Sequence, residues 1–207
     1  DRFFIDRVDR PDFFGQTQPG VLAFRAEEGL PRQTVLDVRS HTIDPVKLRP
    51  LRFPPSQRYA LPKFLNLGPD ADVIGGPNTA VDSRIAALAQ AWTHGIARGW
   101  PQVEAIVARL RADYRYEPGT ALPSDSPDPV AEFLFDRRVG DDYAFATAAC
   151  LLLRSLDYPC RFVEGLYARP ERFDPNSDQT PVRIPDDLHT WVEVMLPERN
   201  WIVVEPT

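Results

Sequence analysis

One apolar stripe constrains the fold of this chain more than any other feature of its sequence. Six apolar residues recur at helical spacing: Phe145, Ala148, Ala149, Leu152, Leu153 and Leu156. Most of the residues between them are also small or apolar, and a helix that is apolar on nearly every side must be buried. Gly140 and two aspartates precede the stripe and Pro159 follows it, as start and stop signals should. The sequence therefore predicts a central helix that is covered on most sides.

Three β-like runs follow this helix, at residues 160–166, 189–196 and 201–204. They do not alternate with helices, which favours a short antiparallel sheet. Two further helical patterns precede the central helix. One begins at Asp82 or Ser83 and continues to Ile96, and the other begins near Pro101. We therefore predict an α+β fold in which the buried helix packs on a small antiparallel sheet.

Proline divides the chain into two parts. Ten of the 22 prolines fall between Pro11 and Pro77, a stretch that cannot hold long helices or central strands. Short β-like runs lie between these prolines, at residues 21–25 and 34–43. We therefore assign residues 1–77 to a small Pro-rich β or extended N-terminal segment and residues 78–207 to the main domain.

Charge is distributed unevenly along the chain. Residues 1–140 carry 18 basic and 18 acidic side chains, whereas residues 141–207 carry six basic and twelve acidic ones. The formal net charge of −6 therefore lies entirely in the last third. A net-acidic chain of this kind is not expected to bind nucleic acid or an anionic membrane surface.

The sequence also lacks the features of disulfide-rich, zinc-binding and membrane-spanning proteins. Two cysteines in 207 residues cannot build a disulfide scaffold or a four-cysteine zinc site. No run of eighteen apolar residues is present, so we expect no direct membrane insertion by this fragment. The chain begins at Asp1, without an initiator Met or a signal-like apolar region, which predicts a processed product or an excised piece.

Three blocks in the last third carry a resemblance to a known family. They lie at residues 133–148, at residues 151–165, and at the run His-Thr-Trp-Val-Glu-Val of residues 189–194, which is followed by Trp-Ile-Val-Val-Glu-Pro-Thr at 201–207. In sequence and in order these blocks resemble the central part of bacterial transglutaminase-like domains. The resemblance implies a papain-like core and a Cys-His-Asp triad, with the cysteine at the N-terminus of the buried helix.

The family triad carries over to this chain at two positions and fails at the third. His189 matches the family histidine, and Glu205 stands where the family usually has aspartate. The nucleophile position falls on Asp142, so no thiol is present there. A helix N-terminus stabilises a thiolate through its free N–H groups and dipole, and the same features favour aspartate as a capping residue. A carboxylate is a weak nucleophile toward an amide, because its attack would give a reactive anhydride.

Further residues are predicted to line the cleft of this resemblance: Asp141, Trp191 and Asp187. The acidic groups around His189 should favour the protonated form of its imidazole. Cys150 lies eight residues after Asp142, about 12 Å along the helix, so it cannot replace the missing thiol. Both Cys150 and Cys160 are predicted to be buried thiols that pack as small apolar side chains.

The resemblance favours a transglutaminase-like domain with a defective nucleophile, acting as a binding or structural module of a larger protein. Whether it is an enzyme stays open. One alternative is an acyltransferase or amide hydrolase of transglutaminase or cysteine-protease type whose native form carries the cysteine. Another is a metal-dependent hydrolase that uses Asp142, His189 and Glu205 as ligands. We predict no cofactor.

Family context also suggests partners and a location for the domain. The expected ligand is a peptide or a glycan, and the other expected partners are further domains of a parent protein. The resemblance implies a bacterial extracytoplasmic domain of a membrane-anchored protein.

Overall fold

A computed structural model describes residues 3–8, 14–18, 21–24, 38–42, 45–53, 83–177, 180–181, 186–197 and 201–207. Four strands in the N-terminal part form two antiparallel pairs, β1 (Phe3–Val8) with β4 (Val38–Thr42) and β2 (Phe14–Gln18) with β3 (Val21–Phe24). Strands β3 and β4 fall within the two β-like runs that the sequence predicted. A short helix, α1 (Pro45–Leu48), follows them.

The remaining elements contain the four other α-helices and five other strands of the described residues. The helices are α2 (Ser83–Thr93), α3 (Trp100–Asp113), α4 (Pro129–Glu132) and α5 (Asp142–Ser155). A π-helical turn (Phe133–Arg137) follows α4, and a 3₁₀ turn (Pro170–Arg172) follows the seventh strand. The strands are β5 (Arg115–Tyr116), β6 (Val139–Gly140), β7 (Cys160–Leu166), β8 (Leu188–Met195) and β9 (Trp201–Val204).

Helix α2 ends earlier than the sequence predicted. The apolar spacing continues to Ile96, but the helix stops at Thr93. Gly95 adopts the left-handed conformation with φ of +73°, which suits a glycine just beyond a helix end. Ile96 then bonds its N–H to the carbonyl of Thr93, so it lies in the turn instead of on the helix.

The predicted burial of the central helix is confirmed. Every residue of α5 from Ala144 to Arg154 is buried. The helix contacts strands β7 and β8 on one side and helices α2 and α3 on the other. Apolar side chains face it from both sides, which explains why this helix carries almost no polar surface.

Three strands form the sheet beside this helix, in the antiparallel order β7-β8-β9. Both the antiparallel sheet and the α+β class that the sequence predicted are confirmed. Strand β7 pairs with β8 along its whole length and places Gly165 opposite His189. The ladder between β8 and β9 reaches only the pair Val192 and Val204. The first residues of β8 therefore extend beyond the end of β9.

Part of the predicted N-terminal segment packs on the main domain. Leu48 and Phe53 are buried in the same core as α3 and α5. The Trp100 N–H donates to the carbonyl of Leu51 at 3.2 Å. Gly99 adopts φ of +132° beside it, where a Cβ would lie 2.2 Å from the Leu51 oxygen. The boundary at residue 77 itself lies outside the described residues and stays a prediction.

Candidate functional site

The start of α5 presents two carboxylates with different roles. Asp141 is the N-cap, with extended backbone, and its Oδ1 accepts the N–H of Ala144 at 3.1 Å. Asp142 is the first residue of the helix, and its Oδ1 accepts the N–H of Tyr143 at 3.0 Å. Aspartates stabilise this end of a helix because its free N–H groups and dipole are positive. The local sequence is therefore enough to explain the helix start.

His189 lies between two carboxylates that come from distant parts of the chain. Its Nδ1 is 2.9 Å from Oδ2 of Asp142, and its Nε2 is 2.6 Å from Oε2 of Glu205. The structure thus brings together the three residues that the resemblance assigned to the triad positions. The catalytic role of these three residues is not tested by their proximity and stays a prediction.

Main-chain and hydroxyl groups hold both carboxylates in place. Oδ2 of Asp142 also accepts the N–H of Thr190 at 2.8 Å. The ladder between β8 and β9 ends at Val192, so Thr190 has no partner in β9. The carboxylate of Asp142, at the start of α5, accepts its N–H instead. Oε1 of Glu205 accepts the N–H of Thr207 at 3.1 Å and its hydroxyl at 2.6 Å. Each carboxylate therefore offers His189 one oxygen of fixed position.

These contacts set the charge of the site. Hydrogen bonds to Asp142 and then to Glu205 raise the pKa of His189 to about 9, against the opposing effect of burial. Burial acts to raise the pKa of Asp142, but bonds from His189 and Thr190 outweigh it, and the pKa is lowered. Burial likewise opposes bonds from His189 and Thr207 at Glu205, and its pKa is also lowered. At neutral pH the site is an imidazolium between two carboxylates.

The raised pKa of His189 predicts a loss of stability at alkaline pH. The folded-state pKa of about 9 exceeds the ordinary value of 6.5, so the imidazolium stabilises the fold fully below pH 6.5 and loses its effect as the pH rises through 9. A shift of this size corresponds to about 3 kcal/mol. Urea unfolding at about pH 6 and about pH 9.5 should show a difference of that order.

A variant that cannot titrate at this position provides the control for the alkaline loss. In His189→Gln the free energy of unfolding should change little between the same two pH values. An equal alkaline loss in the variant and the native chain would assign the effect to other groups.

Aromatic side chains surround His189. The ring of Tyr167 lies 5.7 Å from the imidazole, and Trp191 stacks beside it at 6.2 Å with an interplanar angle of 27°. Trp191 covers Gly165, where a Cβ would lie 2.6 Å from the indole ring. Burial, and after it the charges of Asp142, Asp141 and Glu205, raise the pKa of Tyr116. The sequence singled out Trp191 but neither tyrosine, since both lie on segments without periodic pattern.

Asp187, which the sequence placed at the cleft, binds two arginines. Its side chain is fully buried, one oxygen is 2.7 Å from Nε of Arg169, and the other bonds to Nη1 of Arg172. Its carbonyl accepts the N–H of Tyr167 at 2.8 Å. Asp187 thus fastens the segment after β7 to the start of β8, and its place in a cleft stays a prediction. The acidic groups that bond to His189 are Asp142 and Glu205, and Asp141 is the neighbour of Asp142 in sequence.

The geometry of the described residues does not favour a metal site. Across these ranges, no group of three or more His, Cys, Asp or Glu side chains is arranged to hold a metal ion. Both ring nitrogens of His189 bond to carboxylate oxygens. In the imidazolium form both nitrogens are donors and neither offers a lone pair to a cation.

Among the helices that the structure describes, none is long and apolar enough to span a membrane.

Comparison with known sequences gives a consistent result. The family model of the transglutaminase-like superfamily matches residues 86–206. The uncharacterized protein YebA of Bacillus subtilis is 29% identical over 131 residues, which cover 62% of this chain and 18% of YebA. A protein-glutamine gamma-glutamyltransferase of Pseudomonas aeruginosa is 34% identical over 122 residues, which cover 58% of this chain and 18% of the enzyme. The match thus spans less than a fifth of each curated relative.

Solved structures show the same likeness. The periplasmic domain of TgpA from Pseudomonas aeruginosa superimposes with a TM-score of 0.55 at 26% identity, covering 72% of this chain and 49% of that domain. The same domain bound to ethylmercury gives a TM-score of 0.52 at 29% identity, covering 63% of this chain and 46% of that one.

Proposed function

Because this chain belongs to the transglutaminase-like superfamily, we propose that it is a member in which Asp142 replaces the nucleophilic cysteine and which binds a ligand in its cleft without turning it over. One observation carries the proposal: the carboxylate of Asp142 lies 2.9 Å from Nδ1 of His189, at the N-terminus of the buried helix. The opposite nitrogen bonds to Glu205.

The arrangement around His189 has the form of a thiol-enzyme site with the sulfur exchanged for oxygen. Acyl transfer by a cysteine needs a thiolate at a helix N-terminus, an imidazole beside it, and a group that orients the imidazole from the other side. Asp142, His189 and Glu205 supply an anion, an imidazolium and an orienting carboxylate in that order. Asp142 therefore reproduces the charge of a thiolate without its reactivity.

Two features of the site argue against catalysis by Asp142. Its oxygens accept hydrogen bonds from Tyr143, Thr190 and His189, and its lowered pKa makes it a weak base. His189, with a pKa of about 9, is protonated at neutral pH and cannot serve as a general base there. Asp142 is therefore a poor nucleophile, and His189 is not available to activate water at neutral pH.

The surroundings of the site suit binding of a peptide or a glycan. Tyr116 and Tyr167 are exposed; the charges of Asp142, Asp141 and Glu205 act on Tyr116, and the ring of Tyr167 lies 5.7 Å from the imidazole of His189. Aromatic faces beside a polar centre are common in sites that take extended ligands. The solved neighbours are periplasmic domains, which supports an extracytoplasmic location for this one. The short share of each curated relative that it spans supports a role as one module of a larger parent protein.

Turnover assays test this proposal directly. The Pseudomonas relative is named a protein-glutamine gamma-glutamyltransferase, so the first substrates are a glutaminyl peptide with a primary amine, and an activated ester. We expect the native chain to give no rate above that of His189→Ala. Turnover by the native chain that His189→Ala abolishes would contradict the proposal.

A further inference from the structure

Two thiols are in contact in the core, and neither belongs to the candidate site around His189. Cys150 lies in the middle of α5, and Cys160 is the first residue of β7. Both are fully buried, as the sequence predicted, and their sulfur atoms are 3.4 Å apart. The two cysteines therefore lie where α5 packs against β7.

Hydrogen bonds from Arg154 also hold α5 against the start of β7. The guanidinium of Arg154 is buried near the end of α5 and donates to the carbonyl of Cys160 from Nε at 3.3 Å and from Nη2 at 2.9 Å. Burial raises the pKa of the Cys160 thiol well above its usual range. Since the thiolate is the reactive form, the Cys160 thiol is protected once the core has closed, and the Cys150 sulfur is then shielded by burial.

We propose that Cys150 and Cys160 form a disulfide when the chain folds in an oxidising environment. A disulfide needs its sulfur atoms at about 2.05 Å, so from the contact of 3.4 Å each must move by less than about 1 Å. The chain between the two cysteines comprises the last part of α5 and the turn before β7. The bond therefore closes a short loop without bringing distant segments together.

The reaction is a two-step thiol–disulfide exchange with a small disulfide such as oxidised glutathione. The thiolate of one cysteine attacks a glutathione sulfur, forms a mixed disulfide and releases one reduced glutathione. The thiolate of the second cysteine then attacks the protein-bound sulfur of that mixed disulfide and releases another reduced glutathione. Two cysteine thiols are oxidised, one glutathione disulfide is reduced, and the two thiol protons pass to the released thiolates. Because both sulfurs are buried in the fold, the exchange takes place before the core closes.

The disulfide would join the two elements that support the candidate site. Helix α5 carries Asp142, and β7 pairs with the strand that carries His189. Periplasmic domains, such as those of the solved neighbours, fold where disulfides persist. The same pair in a reducing compartment would remain as two packed thiols.

Refolding the full chain in a glutathione redox buffer tests the inference. We expect an intact mass lower by two hydrogens, no glutathione adduct, and no titratable thiol in denaturant until a reductant is added. Closing a loop of this length should raise the thermal midpoint by about 5–10 °C relative to the reduced protein. In Cys150→Ala/Cys160→Ala the midpoint should not respond to the redox buffer.

Three results would overturn the inference. One is a cooperatively folded protein that keeps two titratable thiols after refolding in that buffer. Another is a folded protein that carries glutathione on either cysteine. The third is an internal disulfide that lowers the thermal midpoint or abolishes the cooperative transition, because the native packing would then not accommodate the bond.

Discussion

Iodoacetamide should alkylate the thiol introduced by Asp142→Cys about tenfold faster at pH 6 than the same thiol in a chain that also carries His189→Ala. The expectation follows from the site geometry. Asp142 lies at the N-terminus of α5, and its carboxylate contacts the imidazolium of His189. A cysteine side chain at this position would exchange the carboxylate for a sulfur beside the same positive groups, which stabilise a thiolate.

Two opposing effects set the size of this difference. Without His189 the thiol keeps only the helix N-terminus, so its pKa lies nearer the ordinary value of about 8.5, at which less than 1% is ionised at pH 6. Beside the imidazolium it titrates several units lower, and the thiolate fraction rises by a factor of up to roughly 300. The nucleophilicity of sulfur falls as its pKa falls, which removes much of this gain and leaves on the order of tenfold.

The native chain provides the control for background labelling. Cys150 and Cys160 are fully buried, so alkylation of the folded native protein should be negligible. The pH profile of Asp142→Cys should also show a plateau that extends to acidic pH, which removal of His189 abolishes. Equal rates with and without His189 would show that the site does not activate a thiol, and would weaken the proposal that Asp142 replaces one.

The second large effect concerns the ion pair that supports the sheet next to the site. Glu193→Gln should lower the free energy of unfolding by about 3 kcal/mol, because it removes the carboxylate charge that bonds to the buried guanidinium of Arg161. Oε2 of Glu193 is 2.7 Å from Nε and 2.5 Å from Nη2 of Arg161. The two side chains are only 11% and 9% exposed, so water cannot replace the lost carboxylate. For a chain of this size the thermal midpoint should fall by about 6–12 °C.

Two further variants separate the ion pair from a general effect of charge. Glu164 is exposed on the neighbouring strand, and Glu164→Gln should change stability by no more than about 0.5 kcal/mol. Adding Arg161→Met to Glu193→Gln also removes the buried cation and should restore part of the loss. The restoration should be partial, because the Arg161 guanidinium also lies 4.1 Å from the centre of the Trp201 ring and methionine cannot reproduce that contact in full. A loss in Glu193→Gln as small as that in Glu164→Gln would mean that the pair contributes little.

Much of the fold could be predicted from the sequence because its signals are local. The apolar stripe from Phe145 to Leu156 requires a buried helix wherever the rest of the chain goes. The β-like runs after it do not alternate with helical patterns, which favours an antiparallel sheet. The error at the end of α2 has a local cause as well. Ile96 continues the apolar spacing, but Gly95 adopts a left-handed conformation that ends the helix.

The candidate site could be predicted only in part. Family resemblance placed Asp142, His189 and Glu205 at corresponding positions, and the structure brings them within hydrogen-bonding distance. The resemblance also placed Asp187, two positions before His189, at the cleft, and gave no sign that its contacts differ from those of Asp142 and Glu205. Asp187 is buried between two arginines of the segment after β7, and those contacts depend on how that segment folds back.

By itself, the sequence determined that α5 is buried, that it begins at an aspartate pair, and that no thiol stands at its start. These properties depend on side chains within a few residues of one another, where helix geometry and capping decide the outcome. Only the tertiary structure decided which acids meet His189. Asp142 is 47 residues from it and Glu205 is 16, and the two meet it because β9 ends before the first residues of β8. Contact between groups so far apart depends on strand register and on the packing of elements that are distant in the sequence.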